Sequence, residues 1–310
     1  MPKDLTDFST PLFQRFPGGR IGDASALHLF HAPNSICSQK VRAVLAFHRL
    51  PYWSHSLDIF KGETYAPEYV RLRFEACRLA GHPLSARHLG STAVESTGCD
   101  ACVVPTVIDA LSGEVLVDSL RICLAIDAQA GGQLMPAAHA DAIRAELAIV
   151  DDLPNYQNLA VRVVPGNAPR NSFAASKVAR CDALLAEHGA DPALRAAYEA
   201  KRAKEQSAAD HLFDATALEA ARAAVDAALA ALDLRLAARR GPWLFGDQPS
   251  MADLFWGAEL IRAEDVGHAG IWQNGRLPHV AAWVRQLVEL PALRSAILEF
   301  PGARLAPPQS

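Results

Sequence analysis

The feature that most constrains this 310-residue chain is a change of periodicity near residue 135. Ahead of it, strand-like and helix-like stretches alternate. "LHLFH" (27–31) and "YWSHSLDI" (52–59) carry the apolar and polar alternation of half-buried strands. Between them, from Ser35, Val41, Val44 and Leu45 recur on one helical face. Pro67 opens a further helix through "APEYVRL", since the first helical turn tolerates proline. "VVPTVID", the turn "LSGE" and "VLVD" predict a hairpin, and "SLRICLAIDAQ" predicts a helix stopped by Gly131-Gly132. The order is β-α-β-α-β-β-α. From about 137 strand signals vanish and alanine, leucine and charged residues dominate. "DPALRAAYEAKRAKEQ" begins with an Asp-Pro helix start, and "PSMADL" offers Ser250 as N-cap with Asp253 three residues on. The chain therefore divides into an α/β domain over 27–132 and an all-α domain over 137–300. A flexible arm is expected at 1–26 and a tail at 301–310.

Half the residues are hydrophobic and 21% are charged, enough to bury a large core and to argue against wholesale disorder. A net charge of −4 supplies no general attraction for nucleic acid or an anionic membrane. No apolar run approaches the roughly 20 residues of a membrane span. The N-terminal arm lacks the continuous apolar stretch of a secretory signal, so a cytoplasmic location is expected. The six cysteines, Cys37, Cys77, Cys99, Cys102, Cys123 and Cys181, then need not form a disulfide framework. An insertion at about 73–102 interrupts the α/β domain with histidines, glycines and three of those cysteines. A loop that long inside a compact domain is often functional.

"NSICSQKVR" (34–42) crowds Ser35, Cys37 and Ser38 at the start of the first helix. The free N–H groups and dipole of a helix start stabilise negative charge. Cys37 in that first turn is a candidate for a lowered pKa and a reactive thiolate. Set against this, a free cysteine is often a small buried apolar residue, and Ser35 is a good plain N-cap. Ser38 is read as structural. "CDAC" (99–102) has the spacing of a redox pair or half a zinc site, with His82 and His88 near in sequence. A redox pair should open a helix, however, and this one runs into a strand. Loop packing is the preferred reading, with no metal.

Motif and layout together resemble the glutathione transferase superfamily. The matching residues are "VVPTVID", "VLVDSLRICLAID", "GPWLFGDQPSMADLFW" and "LPHVAAWVRQLVELPALRSAI", over about 27–300. "SICSQKVR", "YAPEYVRLR" and the insertion through "STAVESTGCDACVVPT" are similar to the glutathione-dependent reductive dechlorinases of chlorinated hydroquinones. The resemblance implies a thioredoxin-like domain with a long insertion, followed by the family's all-helical C-terminal domain. It also implies a homodimer and glutathione as co-substrate. It implies that Ser35 activates the glutathione sulfur and that Cys37 draws it off the product. Val104 and Pro105 would meet the cysteinyl part of glutathione, with Pro105 in cis. Asp118 and Ser119 would hold its γ-glutamyl end, and Lys40 or Arg42 its glycyl carboxylate. Tyr156, Phe255, Trp256 and Arg262 are candidates for the aromatic pocket between the domains. Two other readings stay open: conjugation or ether and thioether cleavage led by Ser35, and a non-catalytic protein that holds aromatic ligands.

Overall fold

In the computed structural model, residues 9–23, 25–160 and 171–305 are described. The sheet is made of β1 (Gly19–Ile21), β2 (Leu27–His31), β3 (Tyr52–Ser56), β4 (Thr106–Asp109) and β5 (Glu114–Val117). Its strand order is β1-β3-β2-β4-β5, with β2 and β3 parallel and the other pairs antiparallel. The helices of this half are α1 (Pro11–Arg15), α2 (Ile36–Phe47), α3 (Pro67–Leu79), α4 (Val94–Thr97) and α5 (Ser119–Gln129). The parallel β2–β3 pair needs a crossover, and α2 supplies it. The helical half comprises α6 (Ala140–Asp151), α7 (Asn155–Asn158), α8 (Asn171–His188), α9 (Pro192–His211), α10 (Ala215–Ala238), α11 (Met251–Asp265), α12 (Gly270–Gln273), α13 (Pro278–Leu287) and α14 (Pro291–Leu293).

Local rules explain most of these elements. Asp191 caps α9 by accepting from the Ala193 and Leu194 N–H groups, with Pro192 at the first helical position. Ser250 and Asp253 form the expected reciprocal capping box at α11. The apolar face of α2 packs Val41, Val44 and Leu45 into a core shared with Met251, Leu254 and Leu293 of the helical half. One continuous apolar core therefore joins the thioredoxin-like half to the helices.

Three expectations differ. The N-terminal arm is not flexible from residue 9 onward: it forms α1 and β1. Phe13 and Phe16 are buried, and the Phe16 carbonyl lies 2.6 Å from His55 Nδ1. Fixing this segment completes the edge of the sheet beside β3. At the other end, residues 301–305 dock as well, with Gln39 Nε2 donating to the Ala303 carbonyl at 2.9 Å. Residues 306–310 lie outside the described residues. The insertion also begins later than 73, because α3 continues to Leu79 before the chain leaves the domain. It doubles back on itself, with Cys99 N–H donating to Pro83 O and Ser85 N–H to Cys99 O, both at 2.8 Å. Gly98 permits this at φ +81, since a Cβ there would lie 2.8 Å from the Pro83 carbonyl oxygen. Cys77 and Cys99 are joined by a disulfide that ties α3 to the end of the insertion, so the cysteines are not all free thiols. Cys102 is a buried free thiol, and no metal-ligating cluster of His, Cys, Asp or Glu occurs among the described residues.

Candidate active site

Ser35 sits at the β2–α2 turn with extended backbone, and its Oγ accepts the Ser38 N–H at 3.4 Å. Cys37 follows within the first turn, where it is partly buried. Ser38 is wholly buried and its Oγ accepts the Ala32 N–H, a structural role as expected. Facing this helix start is the approach to β4, where the Val104–Pro105 peptide is cis. Asp118, at φ +74, caps α5 with a carboxylate oxygen 3.4 Å from the Arg121 N–H. Ser119 begins α5 and is buried beside this helix start. Ser35, Cys37, Val104, Pro105, Asp118 and Ser119 all line one cleft of about 290 Å³, and Tyr156 and Arg262 line its helical side.

The electrostatics correct one expectation. Burial pushes the Cys37 thiol up rather than down. Lys40 and the Ser119 hydroxyl favour the thiolate, but the Asp151 and Glu259 carboxylates oppose it, so the helix start does not win. Asp118 is raised to about 6 by burial and by the Asp151 charge.

Lys40 is not placed to hold a glycyl carboxylate. Its ammonium is fully buried, 3.1 Å from Asp151 Oδ1 and 3.0 Å from Glu259 Oε1, and does not line the cleft. Burial costs a lysine several kcal/mol unless it is paired, and these two carboxylates supply the pairing. Arg42 is likewise buried, donating to the carbonyls of Pro33 and Ala296. Phe255 and Trp256 are core residues rather than pocket walls. Phe255 lies under the Lys40 ammonium at 4.8 Å, and Trp256 Nε1 donates to Glu146 at 2.9 Å. Both occupy the buried face of α11 packed on α2 and α6, which satisfies the Trp N–H inside the core.

A second group reaches the cleft, of which the sequence pointed only to His88, and as a possible metal neighbour. His88 and Asp100 come from the insertion, Tyr65 from the turn before α3, Lys177 from α8, and Lys201, Lys204 and Glu205 from α9. The insertion is anchored across the cleft by the Tyr156 N–H to the Gly90 carbonyl at 3.0 Å and Thr92 N–H to Asp151 O at 3.2 Å. The i, i+4 spacing of Lys201 and Glu205 was the available signal, and it is equally the pattern of an ordinary exposed helix face.

A cis-proline opposite a capped helix start, in a small mixed sheet followed by a helical domain, defines a thioredoxin-like transferase fold. Residues 215–286 match the family model of the glutathione S-transferase C-terminal domain. The chain is 34% identical over 286 residues to "2,5-dichlorohydroquinone reductive dechlorinase" of Sphingobium indicum, covering 88% of this chain and 83% of that protein. Among solved structures, glutathione transferase F7 from Populus trichocarpa superposes with a TM-score of 0.54 at 16% identity, covering 90% of this chain and all of that one. Yeast Ure2p in complex with S-hexylglutathione gives 0.54 at 18%, covering 89% of this chain and 99% of that one. The chain belongs to the glutathione S-transferase family and is a glutathione-dependent enzyme. No helix among the described residues is long and apolar enough to cross a membrane.

Proposed function

We propose that the protein is a glutathione-dependent reductive dehalogenase of chlorinated hydroquinone-like aromatics, acting in the cytoplasm as a homodimer. The observation that carries this reading is the shared cleft: Ser35 and the Cys37 thiol open onto one cavity whose far wall comes from the helical domain. The name of the Sphingobium relative supports the same chemistry.

In this scheme the Ser35 hydroxyl donates a hydrogen bond to the glutathione thiolate. The backbone of Val104, before cis-Pro105, pairs with the cysteinyl part of glutathione. Asp118 and Ser119 hold its γ-glutamyl end at the start of α5. The sulfur attacks the chlorine-bearing carbon of the keto tautomer; a C–S bond forms and chloride leaves. The Cys37 thiolate then attacks that sulfur. The S–S bond forms as the C–S pair returns to carbon, which takes a proton and leaves as the reduced aromatic. A second glutathione thiolate displaces Cys37 by exchange and carries away oxidised glutathione. Two glutathiones are thus oxidised for each halide released. Conjugation alone would consume one and would not need Cys37.

The raised pKa of Cys37 fits the order of events. A thiol kept protonated in the resting site does not compete with glutathione for the electrophile. In the Cys37→Ser variant, one substrate equivalent is expected to be converted and the glutathionyl aromatic to accumulate, as followed by mass spectrometry and halide release. Undiminished multiple turnover with oxidised glutathione as product would remove Cys37 from the mechanism.

A further inference from the structure

The helical wall of the cleft carries a buried cluster that the scheme above leaves unused. Lys201 Nζ lies 2.8 Å from both Asp100 Oδ2 and Glu205 Oε1, and Lys204 Nζ lies 3.2 Å from the same Asp100 oxygen. Lys177 Nζ is 3.4 Å from Glu205 and 3.0 Å from the Tyr156 hydroxyl, which itself donates to Glu205 at 2.6 Å. Three ammonium groups therefore share two carboxylates. A buried excess cation is costly without a counter-charge. Lys177 is the most accessible of the three, with 21% of its side chain exposed against 4% for Lys201 and 10% for Lys204.

The surroundings of Lys177 are aromatic. Its ammonium lies 4.2 Å from the Phe173 ring centre and 4.6 Å from that of Tyr156, and His88 stacks on Tyr156 with centroids 4.2 Å apart. Tyr65 lines the same cleft at 5% exposure, and its buried hydroxyl has no hydrogen-bond partner. A buried hydroxyl without a partner is rare and calls for one. The cluster thus lacks one negative charge and one hydrogen-bond partner, beside stacked rings.

We propose that this wall is a phenolate-binding subsite, in which Lys177 pairs with the ionised hydroxyl of an acidic aromatic substrate lying against the Tyr156, His88 and Phe173 rings. Lys177 is the specificity-determining residue of the subsite. The assignment rests on the aromatic-substrate reading above and adds how the ring is recognised and oriented: oxygen toward α8 and α9, and the substituted carbon toward Cys37 on α2. Burial, opposed by Glu205 and Asp100 and assisted by the Lys201 charge, brings Lys177 down to about 8. His88, burial-shifted to about 3, stays neutral, while Asp100 and Glu205 stay ionised. Below about pH 8 Lys177 is an ammonium that pairs directly with the phenolate, and above it the neutral amine takes the phenol's proton. The product is an ammonium–phenolate pair, and proton and charge balance with no other reactant.

The test uses the full chain with 4-nitrophenol, whose absorbance reports its ionisation, and 4-nitroanisole, which has the same ring and no proton. Neither requires a dehalogenation step. Wild type is expected to bind the phenol at least about tenfold more tightly than the ether, as a charge-assisted pair provides. The bound phenol should show the phenolate spectrum at a pH where the free phenol is protonated. Lys177→Met should erase the preference while leaving affinity for the ether and for S-hexylglutathione unchanged, and Lys177→Arg should keep it. Equal binding of phenol and ether by wild type, or a Lys177→Met variant that still prefers the phenol, overturns the proposal. If Lys177→Met does not fold, the wild-type spectrum and the wild-type affinity ratio decide. Phenol preference without halide release from chlorohydroquinones would keep the subsite and sink the dehalogenase reading; halide release without phenol preference would do the reverse.

Discussion

Replacing Lys40 with methionine removes the cation that sits between Asp151 and Glu259 while keeping a side chain of similar length. The ammonium is completely buried and within 3.1 Å of both carboxylates, which are themselves 7% and 3% exposed. Breaking a buried ion pair by deleting one partner costs about 3–5 kcal/mol, because the remaining charge is stranded. Here two carboxylates are stranded, although protonation relieves part of the penalty. Burial already raises Glu259, and losing Lys40, the largest influence holding it down, raises it further. The destabilisation is therefore expected to be larger at pH 7.5 than at pH 5.5, where the variant's carboxylates can take protons. For a chain of this size, about 3–5 kcal/mol corresponds to a melting temperature lower by roughly 5–8 °C. Adding Glu259→Gln removes one stranded charge and keeps an oxygen to accept from Asn155 Nδ2, now 3.0 Å from Glu259 Oε1. The double variant should thus recover about 1–3 kcal/mol relative to Lys40→Met alone. Thermal and urea unfolding at both pH values measure this, with the KM for glutathione taken well below the transition. A Lys40→Met protein that melts within about 2 °C of wild type but shows a tenfold rise in glutathione KM would refute the reasoning. It would return Lys40 to the glycyl carboxylate.

Two further outcomes follow from the buried titratable groups. Because burial holds the Cys37 thiol up, release of the reduced aromatic from its glutathionyl intermediate in single-turnover experiments should accelerate as pH rises beyond the ordinary thiol range, while halide release does not share that dependence; identical pH profiles for both steps would contradict it. His28, His31 and His88 are depressed by burial to about 4, 3 and 3, so each binds its proton more weakly in the folded chain than in the unfolded one. Their contribution is complete above about pH 6.5 and is lost as pH falls towards 4, amounting to a few kcal/mol in all, and urea midpoints that stay flat between pH 7 and 4.5 would exclude it.

How much of the site could be read in advance depended on how far each residue's partner lies along the chain. Ser35, Asp118, Ser250 and Asp253 announce themselves because a cap is made within three residues. The β4–β5 hairpin is equally local, closing through Gly113 at φ +71. Lys40 could not be read this way, because its carboxylates lie 111 and 219 residues further on. A cation near a helix start looks the same in sequence whether it faces solvent, a ligand or a buried acid. Phe255 and Trp256 give no local signal of their place either. Their helix is buried on nearly every face, so no polar stripe marks which side meets the cleft. The N-terminal arm hid its order because one three-residue strand and two buried phenylalanines make no periodic pattern.

By itself the sequence determined the order of elements, the boundary between an α/β half and a helical half, the caps, and the candidate pair Ser35 and Cys37. These follow from periodicity, capping chemistry and motif resemblance, all of which act over a few residues. Only the tertiary structure decided which side chains share the cleft. It moved Lys40 into a buried ion triad and set the thiol of Cys37 against two carboxylates. It also drew Lys177, Lys201, Lys204, Asp100 and Glu205 from two helices and an insertion into one cluster. Charge becomes costly or useful only once burial removes water, and burial belongs to the packed chain rather than to any segment of it.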